Sequence, residues 1–142
     1  MALMVCAAAQ GAESTPLLDA AYAGDATRVA ALIKSGADVT AANAFGATPM
    51  GEAARRSDTA VIQLLLKAGA NPGAVNAEGE TALMLVARAG NVEAARLLVK
   101  AGARVDAREK WGGQTALIWA AAQNQPQMIA FLARLIQTPS VS

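Results

Sequence analysis

The sequence contains no histidine and a single cysteine, Cys6, in 142 residues. The first absence removes the commonest general base and the commonest metal ligand. The second excludes an intrachain disulfide. Aromatic residues make up only 4% of the chain, which leaves few ring anchors for a bound small molecule. An excess of either charge is also missing, because 12 Lys and Arg stand against 11 Asp and Glu, a formal net charge of +1. Nucleic acid and anionic membranes reward dense basic patches, so this balance argues against both as the main target.

Catalytic motifs are missing too. The chain has no Gly-x-Ser-x-Gly, no Ser-x-x-Lys, no phosphate-cradling glycine loop and no metal-spaced Cys/His set. Glu78 and Glu80 are paired carboxylates of the kind that can do acid–base work, but they flank Gly79 in a predicted turn open to water. Cys6 has no neighbouring base to activate it. The expectation is a non-catalytic chain with no cofactor.

At its start, Met1 to Ala9 is an unbroken apolar run, too short to cross a bilayer as a helix. Ala7-Ala8-Ala9 followed by polar Gln10-Gly11-Ala12-Glu13 is similar to the cleavage end of a secretory signal, although no Lys or Arg precedes it. Export or a periplasmic location is expected, with a cytoplasmic location as the alternative. Leu3-Met4-Val5-Cys6 is a poor match to a lipid-attachment box, because Val5 stands just before the cysteine.

What the chain does have is a repeat. Thr15-Pro16-Leu17, Thr48-Pro49-Met50, Thr81-Ala82-Leu83 and Thr115-Ala116-Leu117 recur at intervals of 33, 33 and 34 residues. Gly36-Ala37-Asp38, Gly69-Ala70-Asn71 and Gly102-Ala103-Arg104 keep the same period. Such a period marks a stacked solenoid, in which each unit buries its apolar face against its neighbours. Each threonine stands where a helix N-cap belongs, and Pro16 and Pro49 suit the first helical position.

A short first helix is predicted to run to about residue 23, 56, 89 or 123, with a small body such as Ala20-Ala21 or Ala53-Ala54. Breaks are expected at Gly24, Ser57, Gly90 and Asn124. Asp25, Asp58 and Asn91 then cap a second helix, and Pro126 opens the last one. The second helices carry the larger apolar groups at helical spacing, from Val29, Leu32 and Ile33 to Phe131, Leu132, Leu135 and Ile136. Gly36, Gly69 and Gly102 supply the left-handed residue that ends a helix. The stretch from each to the next threonine reads as an extended arm, a tight turn and a return arm.

This pattern, Thr-Pro-Leu, paired alanines, a glycine break, an apolar second helix and Gly-Ala-Asp-Val, resembles the ankyrin repeat over about residues 14–137. The resemblance implies an all-α ankyrin-repeat solenoid of stacked antiparallel helix pairs with projecting β-hairpin loops. Residues 1–12 would be the apolar N-terminal segment. Residues 13–137 would be the repeat domain, with repeats starting near 15, 48, 81 and 115, and 138–142 would be a tail.

The chain departs from the family in three places. Leu18, Gly51, Met84 and Ile118 stand where a histidine usually bonds across the turn, so those bonds are expected to be absent. The third hairpin has one extra residue, around Lys110-Trp111-Gly112-Gly113. Ile136 stands where a helix-ending glycine is due, leaving Phe131, Leu135 and Ile136 with no successor to cover them. The natural protein then continues further, or this end self-associates or frays; otherwise a monomer is expected.

The resemblance also implies a partner surface made of hairpin tips and the exposed ends of first helices. Residue by residue it maps to Tyr22, Phe45, Arg55, Arg56, Glu78, Glu80, Arg88, Lys110, Trp111, Gln114 and Gln123, with a protein of unknown identity as the partner. That mixture of aromatics, arginines and two glutamates suits a protein face. Taken alone, Arg55-Arg56 reads as a solvated helix end. Trp119 lies in a first helix and reads as core or inter-repeat packing. Trp111 either packs on the neighbouring hairpin or anchors a partner. The alternative to an interaction module is a structural or regulatory segment of a larger exported enzyme or envelope protein.

Overall fold

The four threonines do what their position dictates. Each sits in extended backbone, and its hydroxyl oxygen accepts the N–H three residues on: Leu18, Gly51, Met84 and Ile118, at 3.1, 3.0, 3.2 and 3.4 Å. Each such cap stabilises its helix by roughly 0.5–2 kcal/mol. A computed structural model describes residues 15–76 and 78–137. Among them are eight helices: α1 (Pro16–Ala23), α2 (Ala26–Lys34), α3 (Pro49–Arg55), α4 (Thr59–Lys67), α5 (Ala82–Ala89), α6 (Val92–Lys100), α7 (Ala116–Ala122) and α8 (Pro126–Gln137).

The helices alternate between two layers. The first helices α1, α3, α5 and α7 contact one another in that order, and the second helices α2, α4, α6 and α8 form the other layer. Ala20, Ala21, Ala53, Ala54, Ala87 and Ala120 are fully buried, so the first helices meet with almost no side chain between them. Leu17, Ile62, Leu65, Leu83, Met84, Leu98, Met128 and Leu132 supply the bulk of the core.

All four expected breaks are left-handed: Gly24 at φ +73°, Ser57 at +57°, Gly90 at +79° and Asn124 at +54°. The second helices end as anticipated. Gly36, Gly69 and Gly102 take φ of +92°, +95° and +112°, and the next N–H in each case returns to Leu32, Leu65 or Leu98. Asp25, Asp58 and Asn91 cap their helices through side-chain oxygen.

Three expectations change. The bond across the turn is not absent from every repeat, because Met84 Sδ accepts the Thr81 N–H at 3.4 Å. An unbranched thioether reaches back one turn and can act as a weak acceptor. The hairpin arms form no regular strand among the described residues; a single antiparallel bridge joins Val75 and Thr81. Side-chain-closed turns fill most of each loop and leave the arms too short for a ladder. Phe131 is half-buried rather than open, with the Arg96 guanidinium 5.6 Å from its ring centre. Ile136 does remain 49% exposed.

The expectations for Met1–Ala9, for Cys6 and for the tail 138–142 lie outside the described residues. Among the described residues no helix is long and apolar enough to cross a membrane.

Candidate interaction surface

Because the first helices lie side by side, residues one repeat apart stand in rows. One row is Asp19, Glu52, Leu85, Trp119, and the next is Tyr22, Arg55, Arg88, Ala122. The hairpins border these rows. Two pockets open where helices and hairpins meet. The first, about 320 Å³, is lined by Leu18, Asp19, Tyr22, Asn43, Ala47 and Glu52. The second, about 190 Å³, is lined by Arg88, Gln114, Trp119, Ala122 and Gln123.

Each hairpin is organised by one side chain at its base. The Asn43 oxygen accepts the N–H of Phe45 and Ala47 at 2.9 and 3.0 Å. Asn76, one repeat on, accepts those of Glu78 and Glu80 at 3.0 and 2.9 Å. Glu109 holds the same position in the longer third hairpin. Its two carboxylate oxygens accept the N–H of Trp111 at 2.6 Å, of Gly112 at 2.9 and 3.0 Å and of Gln114 at 2.9 Å. One extra residue in the turn is thus matched by one extra methylene in the side chain that closes it.

Glu109 is one of two buried polar or charged residues among those described, the other being Thr81. The backbone bonds from Gln114 and then Gly112 hold its pKa below the ordinary carboxylate value, with Trp111 adding to them, while desolvation opposes the shift. Neighbouring hairpins are linked as well, since the Lys110 N–H donates to the Glu78 carbonyl at 3.0 Å.

The sequence-predicted surface residues fall into distinct settings. Tyr22, Phe45 and Trp111 are 68%, 73% and 79% exposed. At that exposure the Trp111 ring does not pack on the adjacent hairpin. Arg88, Gln114 and Gln123 come together in the smaller pocket, whereas Tyr22 lines the larger one. Glu78 and Lys110 are exposed at their tips. Glu80 is half-buried, and its carboxylate accepts from the Asn76 amide at 2.9 Å. Arg55 lies 3.9 Å from Glu52 in a weak pair. Arg56 is exposed but leans over Gly24 of the preceding repeat, where a Cβ would come within 2.8 Å of its Nε.

Trp119 packs against the core as expected, and it also lines the smaller pocket beneath Arg88, whose guanidinium carbon is 5.3 Å from its ring centre. Its buried indole Nε1 has no hydrogen-bond partner. Asp19, Glu52 and Trp119 are surface residues that the tip-and-helix-end mapping omitted. Their shared register in the repeat was the signal that could have found them.

The geometry and the comparisons with known proteins agree. A description of ankyrin repeats in three copies matches residues 50–140. The chain belongs to the ankyrin repeat family. A second description, ankyrin repeats in many copies, matches residues 17–66. No curated protein matches the chain at a significant level. Ankyrin repeats are generally protein–protein interaction modules and typically non-catalytic. No group of three or more metal-ligating side chains occurs among the described residues.

Proposed function

We propose that this ankyrin chain is a non-catalytic module that binds a protein partner across the hairpin tips and the exposed side of its first helices. One observation carries the reading. Of five aromatic side chains, three stand more than two-thirds exposed, and all three border this surface. Large exposed aromatics contribute little to the stability of the free chain, whereas buried at an interface they dominate its energetics. The helix stack and the side-chain-closed hairpins pre-organise these groups, so little loop entropy is lost when a partner docks.

The test is calorimetry with a partner isolated from the native source. Trp111→Ala should weaken binding by at least about tenfold, as expected for a hot-spot tryptophan, and leave thermal unfolding unchanged. Unchanged affinity in both Trp111→Ala and Arg88→Ala would remove this surface from consideration.

A further inference from the structure

We propose that the pocket between α5 and α7 receives an acidic side chain of the protein partner, with Arg88 as its counter-charge; this rests on the surface proposed above. The argument begins with repeat two. There Glu52 stands three residues before Arg55, and their side chains lie 3.9 Å apart. The equivalent position before Arg88 is Leu85, which is buried. Repeat three keeps the arginine and lacks the acid. Among the described residues Arg88 has no carboxylate partner, and its guanidinium lies over the Trp119 ring instead.

That arrangement suits a carboxylate. A guanidinium held over a ring by a cation–π contact donates no in-plane hydrogen bond to it, so its N–H donors remain for a planar acceptor. The other lining groups, Gln114, Gln123 and Ala122, are exposed and uncharged, so nothing in the pocket repels an anion. Two hairpin carboxylates are engaged elsewhere. Glu109 is committed to its own backbone amides, and Glu80 to Asn76.

Size decides what kind of carboxylate enters. At about 190 Å³ the space is smaller than the roughly 300–1,000 Å³ of ordinary small-molecule sites. It matches one side chain. A docked protein face offers its carboxylates chiefly as side chains, so the group is an aspartate or glutamate rather than a chain terminus.

The experiment uses random twelve-residue peptides displayed with their C-termini fused, so that only side chains offer carboxylates. They are selected on the wild-type protein and on Arg88→Glu. Wild-type binders should share an Asp or Glu at one fixed position. A synthetic binder should lose about 10- to 100-fold in affinity on Arg88→Ala, and as much when its acid is changed to the amide, the range for a charge-assisted hydrogen bond. Arg88→Glu should instead select Lys or Arg at that position, a reversal that a merely structural arginine would not produce.

Selected peptides without an acid, or the same peptides selected by Arg88→Glu, overturn the inference. If those peptides still weaken on Trp111→Ala, the surface survives and only the carboxylate assignment falls. If they bind Trp111→Ala and Arg88→Ala as tightly as wild type, both fall. A library that yields no wild-type binder also counts against both.

Discussion

Asn91 separates two kinds of stabilisation within one side chain. Its oxygen caps α6 by accepting the Ala94 N–H at 3.1 Å. Its amide nitrogen reaches back across the repeat boundary, 3.1 Å from the Ser57 carbonyl, 3.0 Å from the Ser57 hydroxyl and 2.8 Å from the Thr59 hydroxyl. Asp58 is the internal control, because it caps α4 through Val61 at 3.2 Å, is also half-buried, and as a carboxylate has no donor to reach backwards. Replacing either residue by alanine removes a cap worth about 1 kcal/mol. Asn91→Ala removes the cross-repeat bonds as well. An amide has two N–H donors, so about two bonds of roughly 1 kcal/mol each are at stake. Water reaches this half-buried site and restores part of the loss. The expected result is that Asn91→Ala costs about 1–2 kcal/mol more than Asp58→Ala. Urea unfolding followed by far-ultraviolet circular dichroism measures this. With a urea dependence of roughly 2 kcal/mol per molar, the two midpoints should differ by about 0.5–1 M. Asn91→Asp, which keeps the cap and loses the donors, should fall between wild type and alanine. Equal costs for Asn91→Ala and Asp58→Ala, within about 0.5 kcal/mol at equal urea dependence, would refute the idea that Asn91 ties two repeats together.

Two further predictions concern the loops. Glu109→Gln should reduce hydrogen-exchange protection at Trp111, Gly112 and Gln114, because an amide offers one acceptor oxygen where the carboxylate uses two. In the wild type the same protection depends on pH. The folded pKa of Glu109 lies below its ordinary 4.5, so the stabilisation is complete above that value and is lost as pH falls through the lower folded one. Protection that is unchanged in Glu109→Gln, or unaffected by acid, would show that the carboxylate does not close the hairpin. Gly69→Ala should cost about 1 kcal/mol, all of it conformational, since φ is +95° and a Cβ there meets nothing within 4 Å. Gly90→Ala should cost more. At φ +79° its Cβ would also collide with the Gln125 amide and displace the bond from that amide to the Arg88 carbonyl at 3.0 Å. Thermal unfolding of the two variants checks the order, and a neutral Gly69→Ala would refute the left-handed penalty.

The parts of the fold that were legible in the sequence are those fixed by local chemistry at a repeated spacing. A threonine before a short apolar run predicts a cap, and a glycine after one predicts a left-handed stop. Both hold at every expected position described. Ser57 and Asn124 show the same logic without glycine, because their place in the repeat identified them as breaks. What local chemistry does not fix is which partner a side chain chooses across repeats. Asn91 has the amide donor that Asp25 lacks, but nothing in the order of residues says that this donor turns back to Ser57. Met84 illustrates a similar limit, because whether its sulfur turns toward Thr81 is settled by packing. The surface was legible as a set of positions. Its grouping into pockets needed the stacking of helices, which turns residues 33 or 34 apart into neighbours, so that Arg88 meets Trp119 rather than anything close to it in sequence.

The third hairpin shows how an insertion can leave a loop no less defined than its neighbours. Adding a residue to a turn closed by an asparagine would leave its oxygen short of the far N–H, and the tip would gain freedom at the point that carries Trp111. The chain carries glutamate there instead. Its longer side chain spans the longer turn, and its second oxygen takes up the additional N–H at Gly112. Trp111 is therefore held by its backbone N–H at 2.6 Å from the carboxylate while its ring stands 79% exposed. A fixed backbone beneath an exposed ring lowers the ordering entropy that a partner must overcome. Glu109 and Trp111 thus form one unit, in which the buried carboxylate sets the position of the aromatic group offered to solvent.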